Sequence, residues 1–340
     1  MKYTAQDFKS DQEVRWCPGC GDHSVLAAIT RALPEVSEAL DYSKERYVVV
    51  SGIGCSSRFP YYMNTYGFHS IHGRGAAIAT GVKVANPKLT VWLMTGDGDS
   101  LAIGGNRFIH AIRRNIDINV TLFNNRIYGL TKGQYSPTSP LGIITKTSPY
   151  GSVEHPFNPG SLVLGARGTF FARGIDNDIN LNKDIFVAAA KHDGTSVTEM
   201  LVNCVIFNDG SHRAFSDREV KADRTITLKH GEKMIFGKNR DKGLMLDKQN
   251  LKLKVVTIGQ DGITEDDILT HDAHSDNIGI HTMLVDMKYP DYPVALGIIR
   301  DVKDKTYDDN VRDQLLEVKA NAKIHCVDDL LRSGSTWEVK

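Results

Sequence analysis

The chain has 340 residues, 41% hydrophobic and 24% charged, the balance of an ordinary globular protein with room for one large domain or two smaller ones. Its 41 basic and 41 acidic residues cancel, which removes the electrostatic footprint of a general nucleic-acid binder. No apolar run approaches the ~20 residues that cross a bilayer, and MKYTAQDFKSDQEVRW at the start has no apolar signal core; a cytoplasmic location is expected, with neither a membrane nor a nucleic acid as partner.

RWCPGCGDHSVL (15–26) sets Cys17 and Cys20 two residues apart. That spacing suits a redox dithiol, half a zinc site or two ligands of an iron–sulfur cluster. YVVVSGIG (47–54) reads as a buried strand ending in a glycine turn, GAAIATGVKVA (75–85) as a helix of small residues, and LTVWLMTGDG (89–98) as a second buried strand. SLAIGGNRFIHAIRR (100–114) has helical spacing; INVTLFNN (118–125), TFFAR (169–173) and SVTEMLVNC (196–204) are further strands. Continuous Val/Ile/Leu runs alternating with helices predict an α/β fold, a mostly parallel sheet with helices on both faces. In such sheets ligands bind at the C-terminal strand ends.

Residues 126–160 form a long loop rich in Gly, Pro, Ser and Thr, a length that a compact domain keeps for function. Charged, loop-rich sequence follows Cys204. The expected division is an N-terminal segment (1–46), a sheet domain (47–205) and a C-terminal extension with subunit contacts (206–340).

TGDGDS (95–100) joins a strand to a helix. Glycines let the backbone approach a ligand, and free amides at a helix start attract phosphate. Asp97 in that turn would repel a bare phosphate, whereas Mg²⁺ between them satisfies both, sharing its octahedral oxygens among carboxylate, amide and phosphate. The next strand ends at FNN (123–125), offering the Asn125 amide oxygen and the Ile127 carbonyl. Asp97 and Asp99 as plain caps are the bland alternative; the pairing of GDG with NN, each at a strand end, resembles the thiamine-diphosphate signature. GRGAAI (73–78) lacks the third glycine of a dinucleotide fingerprint.

Five cysteines are too few for a disulfide-rich secreted domain. A [4Fe-4S] cluster wants four thiolates, and Cys17, Cys20, Cys55 and Cys204 supply them, two at strand ends. Cys326, in KIHCVDDLL, reads as a packed thiol. A Cys₄ zinc site uses the same ligands; the cysteines alone weigh both equally, and the thiamine motif beside them favours the cluster.

These blocks together, WCPGCGDHSVL, SGIGCSSRFP, HGRGAAIATGVKVANP, TGDGDSLAIGGNRFIHAIRRNID and NNRIYGLTKGQYSPTS, resemble the beta subunit of 2-oxoacid:ferredoxin oxidoreductases, particularly the 2-oxoglutarate type. The resemblance covers about residues 14–215 and the remainder more weakly. It implies a [4Fe-4S] cluster on Cys17, Cys20, Cys55 and Cys204, and Mg²⁺ on Asp97, Asn125 and the Ile127 carbonyl. Thiamine diphosphate would lie against Gly54, Cys55, His72, Gly73, Gly96, Gly98, Asp99, Asn125, Ile127, Gly129 and Leu130. It implies an alpha subunit bringing the pyrimidine half of the cofactor site, with ferredoxin, coenzyme A and a 2-oxoacid as the other partners. The implied reaction is reversible oxidative decarboxylation, 2-oxoglutarate favoured over pyruvate or another 2-oxoacid. Asn203 stands where that family is expected to carry Pro before the cysteine.

Two residues are candidates for catalysis or specificity: Lys132, pairing with the distal carboxylate of 2-oxoglutarate, and His72, donating near the reacting carboxylate. Their plain alternatives are a solvated loop lysine and a packed histidine. The rival functions are a non-redox thiamine enzyme and a zinc-stabilised, non-catalytic α/β binding module.

Overall fold

In a computed structural model describing residues 2–339, the strands form where the apolar runs place them: β1 (Tyr47–Ser51), β2 (Tyr66–His69), β3 (Thr90–Gly96), β4 (Asn119–Asn124), β5 (Phe170–Ile175) and β6 (Ser196–Leu201). Later come β7 (Thr225–Leu228), β8 (Ile235–Phe236), β9 (Lys242–Asp247), β10 (Lys252–Thr257) and β11 (Val294–Asp301). Eight strands make one sheet in the order β2-β1-β3-β4-β6-β5-β11-β7, and β8–β10 a small separate sheet. The first six strands of that order are mutually parallel; only the β5–β11 junction is antiparallel.

Period-two alternation assigns each side chain its face. Val48, Val50, Val91, Leu93, Val120 and Leu122 join a core under helices Gly75–Ala85, Gly105–Arg113 and Pro159–Gly165. Tyr47, Val49, Trp92, Met94 and Phe123 face the other way, into a second core with helices Asp22–Leu40 and Ile179–Lys191. Those two helices pack on each other, so the N-terminal segment is part of the same body.

The helix expected over 100–114 is two, Asp97–Leu101 and Gly105–Arg113. The first begins directly at the strand end, and the break falls where Gly104 lies against Asp99 and Ser100; a Cβ there would collide with their backbone. The segment 206–340 interleaves with the sheet domain, since β7 and β11 extend the main sheet beyond β5. Its helix Tyr307–Ala320 leaves Leu315, Leu316 and Val318 exposed. Cys326, expected to be packed, is exposed at the start of helix Val327–Arg332, whose own apolar residues also face outward. Among the described residues no helix is long and apolar enough to cross a membrane.

Candidate active site

Because β1, β3, β4 and β6 are parallel neighbours, the loops that follow them leave from one edge of the sheet. Between those loops lies a cleft of about 540 Å³. Its lining includes Gly54, Cys55, His72, Gly96, Asp97, Gly98, Asp99, Asn125, Ile127, Gly129 and Leu130. Gly73 sits just behind, donating its N–H to Asp99 Oδ1 at 2.7 Å.

Asp99 ties the loops together. Its Oδ1 also accepts from Ile53 N–H (3.1 Å) and lies 2.8 Å from His72 Nδ1, at ion-pair distance without hydrogen-bond alignment; Oδ2 accepts from the Thr95 hydroxyl at 2.7 Å. The carboxylate thus fastens the β1 loop and the 72–73 turn to the start of its own helix. Gly52 presses so closely on this carboxylate that a Cβ has no space. Expected as a cofactor contact, Asp99 lines the cleft and spends its oxygens on the protein.

Asp97 is buried and differently held. Hydroxyls of Ser136 and Thr138 both donate to its Oδ2 at 2.6 Å. Burial pushes its carboxyl up to about 6, against the pull of those two bonds. Opposite stands Asn125, whose Oδ1 accepts from Ile127 N–H at 3.1 Å. Tyr128 closes this side: its hydroxyl donates to Gly98 carbonyl at 2.9 Å, its ring fills the place a Cβ on Gly98 would need, and it meets the His72 ring edge-on. Burial raises its phenol to about 12.

The cysteine loops are laced to one another. Gly21 N–H donates to Asn203 carbonyl (3.1 Å) and Trp16 Nε1 to Cys55 carbonyl (2.7 Å), linking the Cys17–Cys20 turn to both other cysteine loops. A Cβ built on Gly129 would stand 3.3 Å from Cys55 Sγ and 3.5 Å from Cys204 Sγ, so both sulfurs face the space that this glycine leaves open. Desolvation first, then the Asp22 charge, raises the Cys55 thiol to about 12 and lifts Cys20 further; repulsion among neighbouring thiols adds to both. Buried thiols such as Cys20 and Cys55, held back from ionising with other thiols nearby, suit a cationic group that would take them as thiolates. Among the described residues no three metal-binding side chains stand at the spacing of a single ion.

His72 is in the cleft. Lys132 is exposed and outside its lining, at a left-handed φ of 77°. An adjoining hollow of about 570 Å³, sharing Ile53, Gly54 and Leu130 with the cleft, carries two other cations, Arg15 and Arg58. Sequence reading missed these, together with Ser136, Thr138, Tyr128, Thr95 and Asp22. The SPTS run (136–139) was the available signal: three hydroxyls in a loop already expected to be functional.

Residues 52–200 match the family model "Thiamine pyrophosphate enzyme, C-terminal TPP binding domain". The chain is 48% identical to the 2-oxoglutarate oxidoreductase subunit KorB of Mycobacterium tuberculosis, over 98% of its own length and 88% of that protein's. The chain belongs to the KorB family, the beta subunits of 2-oxoacid:ferredoxin oxidoreductases. Another KorB-family member, a 2-oxoglutarate synthase subunit of Archaeoglobus fulgidus, is 44% identical over 56% of this chain and 69% of its own. A solved structure titled 2-oxoglutarate:ferredoxin oxidoreductase from Magnetococcus marinus with 2-oxoglutarate, coenzyme A and succinyl-CoA bound superposes with a TM-score of 0.77 at 28% identity, over 98% of this chain and 97% of that one. Membership in the KorB family makes the chain a subunit of an oxidoreductase and sets aside the non-catalytic module.

Proposed function

We propose that this chain holds thiamine diphosphate through Mg²⁺ and relays electrons through a [4Fe-4S] cluster in the CoA-dependent, reversible decarboxylation of a 2-oxoacid, 2-oxoglutarate first among them. The observation that carries the reading is Cys55: its residue lines the cofactor cleft, and its sulfur shares the open space at Gly129 with Cys204. One residue thereby joins the thiamine site to the cysteine set.

The donors fit the groups. Asp97 offers the carboxylate oxygen that the two hydroxyls leave free, Asn125 its amide oxygen, and Ile127 a main-chain carbonyl, an all-oxygen set suited to Mg²⁺. Glycines 96 and 98 and the helix start at Asp97 suit a diphosphate. Cys17, Cys20, Cys55 and Cys204 would hold the cluster. Thiamine diphosphate supplies the nucleophilic carbon and electron sink for decarboxylation, and the cluster a one-electron carrier. This chain's share is to orient and to exclude water. Tyr128 and Leu130 wall the cleft, and the His72 ring lies beside Asp99 in its lining, where a ring N–H would meet the substrate carboxylate.

The other half of the cofactor site would come from an alpha subunit, and ferredoxin would take the electrons. Iron, acid-labile sulfide and zinc on enzyme purified without oxygen, with whatever chain accompanies it, test the reading. Iron with matching sulfide supports it; zinc without sulfide leaves only the thiamine half. For the substrate, Lys132 is proposed to meet the distal carboxylate of 2-oxoglutarate, with Arg58 in the adjoining hollow as the competing cation. Lys132→Met should raise KM for 2-oxoglutarate far more than for 2-oxobutyrate. Equal effects on both acids would remove Lys132 from specificity, and a selective effect of Arg58→Met would move the contact there.

A further inference from the structure

Asn124 and Asn125 are neighbours with different fates. Asn125 faces the cleft, whereas Asn124, the last residue of β4, is buried within the fold. Its Nδ2 donates to Glu199 Oε1 at 2.7 Å, and Glu199 Oε2 accepts from Arg173 Nε at 2.7 Å. A carboxylate can only accept, so the Asn124 amide is fixed with its oxygen on the far side, 2.9 Å from the Thr138 hydroxyl. That hydroxyl also lies 2.6 Å from Asp97 Oδ2, so its one proton is shared between the amide oxygen and the carboxylate. Five side chains from β5, β6, β4, the long loop and the β3 turn thus stand in series, Arg173–Glu199–Asn124–Thr138–Asp97, each at most 6% exposed.

Stability is a weak reason for such an arrangement. Desolvating an arginine and a glutamate side by side on the two paired strands β5 and β6 costs about as much as their attraction returns, and apolar side chains of similar volume do as well or better. What the series does provide is direction. Glu199 fixes the amide, the amide oxygen and Asp97 Oδ2 share the single proton of the Thr138 hydroxyl, and that sharing holds the hydroxyl against one oxygen of Asp97 rather than the other.

We propose that Glu199 and Asn124 are positioning residues for Asp97, turning its second oxygen toward a divalent cation in the cleft. This rests on the magnesium reading above and names residues three and two links back from Asp97. The experiment uses the assembled two-subunit enzyme, stripped of divalent cations, with saturating thiamine diphosphate, and follows Mg²⁺ binding by tryptophan fluorescence or calorimetry. Glu199→Gln and Asn124→Ala should each weaken Mg²⁺ by about ten-fold, the worth of one charge-assisted hydrogen bond, with kcat at saturating Mg²⁺ near that of the wild type. Adding Thr138→Val to either should weaken it no further than Thr138→Val alone, because all three act through one contact.

Mg²⁺ affinity unchanged in variants whose Tm has fallen would overturn the proposal and leave the series a fold support. Should Glu199→Gln give no folded chain, Asn124→Ala, which keeps the Arg173–Glu199 pair, decides the matter. A wild type that binds thiamine diphosphate equally well without any divalent cation would instead overturn the magnesium reading itself, and the relay with it.

Discussion

Replacing Asp99 with alanine should loosen the cofactor cleft before it harms the fold. The change leaves the N–H groups of Ile53 and Gly73 without their acceptor; the Thr95 hydroxyl can turn to Ser100 Oγ, 2.8 Å away, and loses little. Each orphaned buried amide costs about 1–3 kcal/mol, so the two together cost about 2–6 kcal/mol, toward the low end because Ile53 borders the open cleft. With an unfolding entropy of about 2.1 cal/mol/K per residue, a chain of this length loses ~1.4 °C of Tm per kcal/mol, hence about 3–8 °C in all. Thiamine diphosphate affinity should fall more steeply, because the freed loops carry Gly54, Cys55 and His72. Asp99→Asn keeps an acceptor for both amides without the charge and should lie between. The assay is a thermal melt of each variant with and without thiamine diphosphate and Mg²⁺. A Tm for Asp99→Ala within about 1 °C of the wild type, with cofactor affinity unchanged, would refute the claim that this carboxylate holds the loops.

Gly129→Val puts two methyl groups where the Cys55 and Cys204 sulfurs now face open space; iron and sulfide should drop well below wild type while the Tm of the metal-free chain stays close, and full iron retention would contradict the cradle. Tyr128→Phe removes one hydrogen bond, to Gly98 carbonyl, at about 1 kcal/mol; a several-fold weaker thiamine diphosphate affinity by titration is the expected result. His212 is buried and donates from Nε2 to Asn124 carbonyl, and burial, helped by the nearby Arg126 charge, pushes its pKa down from 6.5 to about 4. The unfolded chain takes up that proton near pH 6.5 while the native state refuses it until about 4, so this stabilisation is complete above 6.5 and about 3 kcal/mol of it is lost on the way down to pH 4. Denaturant midpoints at several pH values should show the acid-side loss, and His212→Gln should flatten it; identical slopes would exclude His212 as its source.

Much of the site was legible because its signals are local. Helix Gly75–Ala85 and strands β1 and β3–β6 follow from runs of apolar residues whose periodicity needs no tertiary information. GDG and NN stand at strand ends, and parallel pairing alone brings strand ends together. What sequence reading missed depends on contacts between distant segments. Strand Thr225–Leu228 has only four residues, and it and Val294–Asp301 belong to the main sheet only because the latter pairs with β5 on one side and with Thr225–Leu228 on the other. Glu199 stands inside the strand run SVTEMLVNC. A glutamate within an apolar strand flanked on both sides needs a buried cation, and Arg173 in the TFFAR run was the available partner. The role of Asp99 was half seen: the motif drew attention to the residue, but only the fold shows that its partners are protein amides.

The three carboxylates at this edge differ in who answers their charge, and that difference singles out one of them. Glu199 has Arg173 at 2.7 Å. Asp99 has two backbone amides, a hydroxyl and His72 around it. Asp97 is as deeply buried as either, yet hydroxyls and its own turn's amides are its partners; among the described residues no cationic side chain reaches it within ion-pair distance, although Arg126 feels its charge. A buried carboxylate without a counter-ion is costly to keep ionised, and the rise of its pKa to about 6 expresses that cost. The same imbalance would favour a divalent cation, whose charge would answer the one that burial leaves unpaired. With partners around both neighbours' charges and no cation beside this one, Asp97 is the carboxylate on which the proposed metal, and through it a diphosphate, would rest.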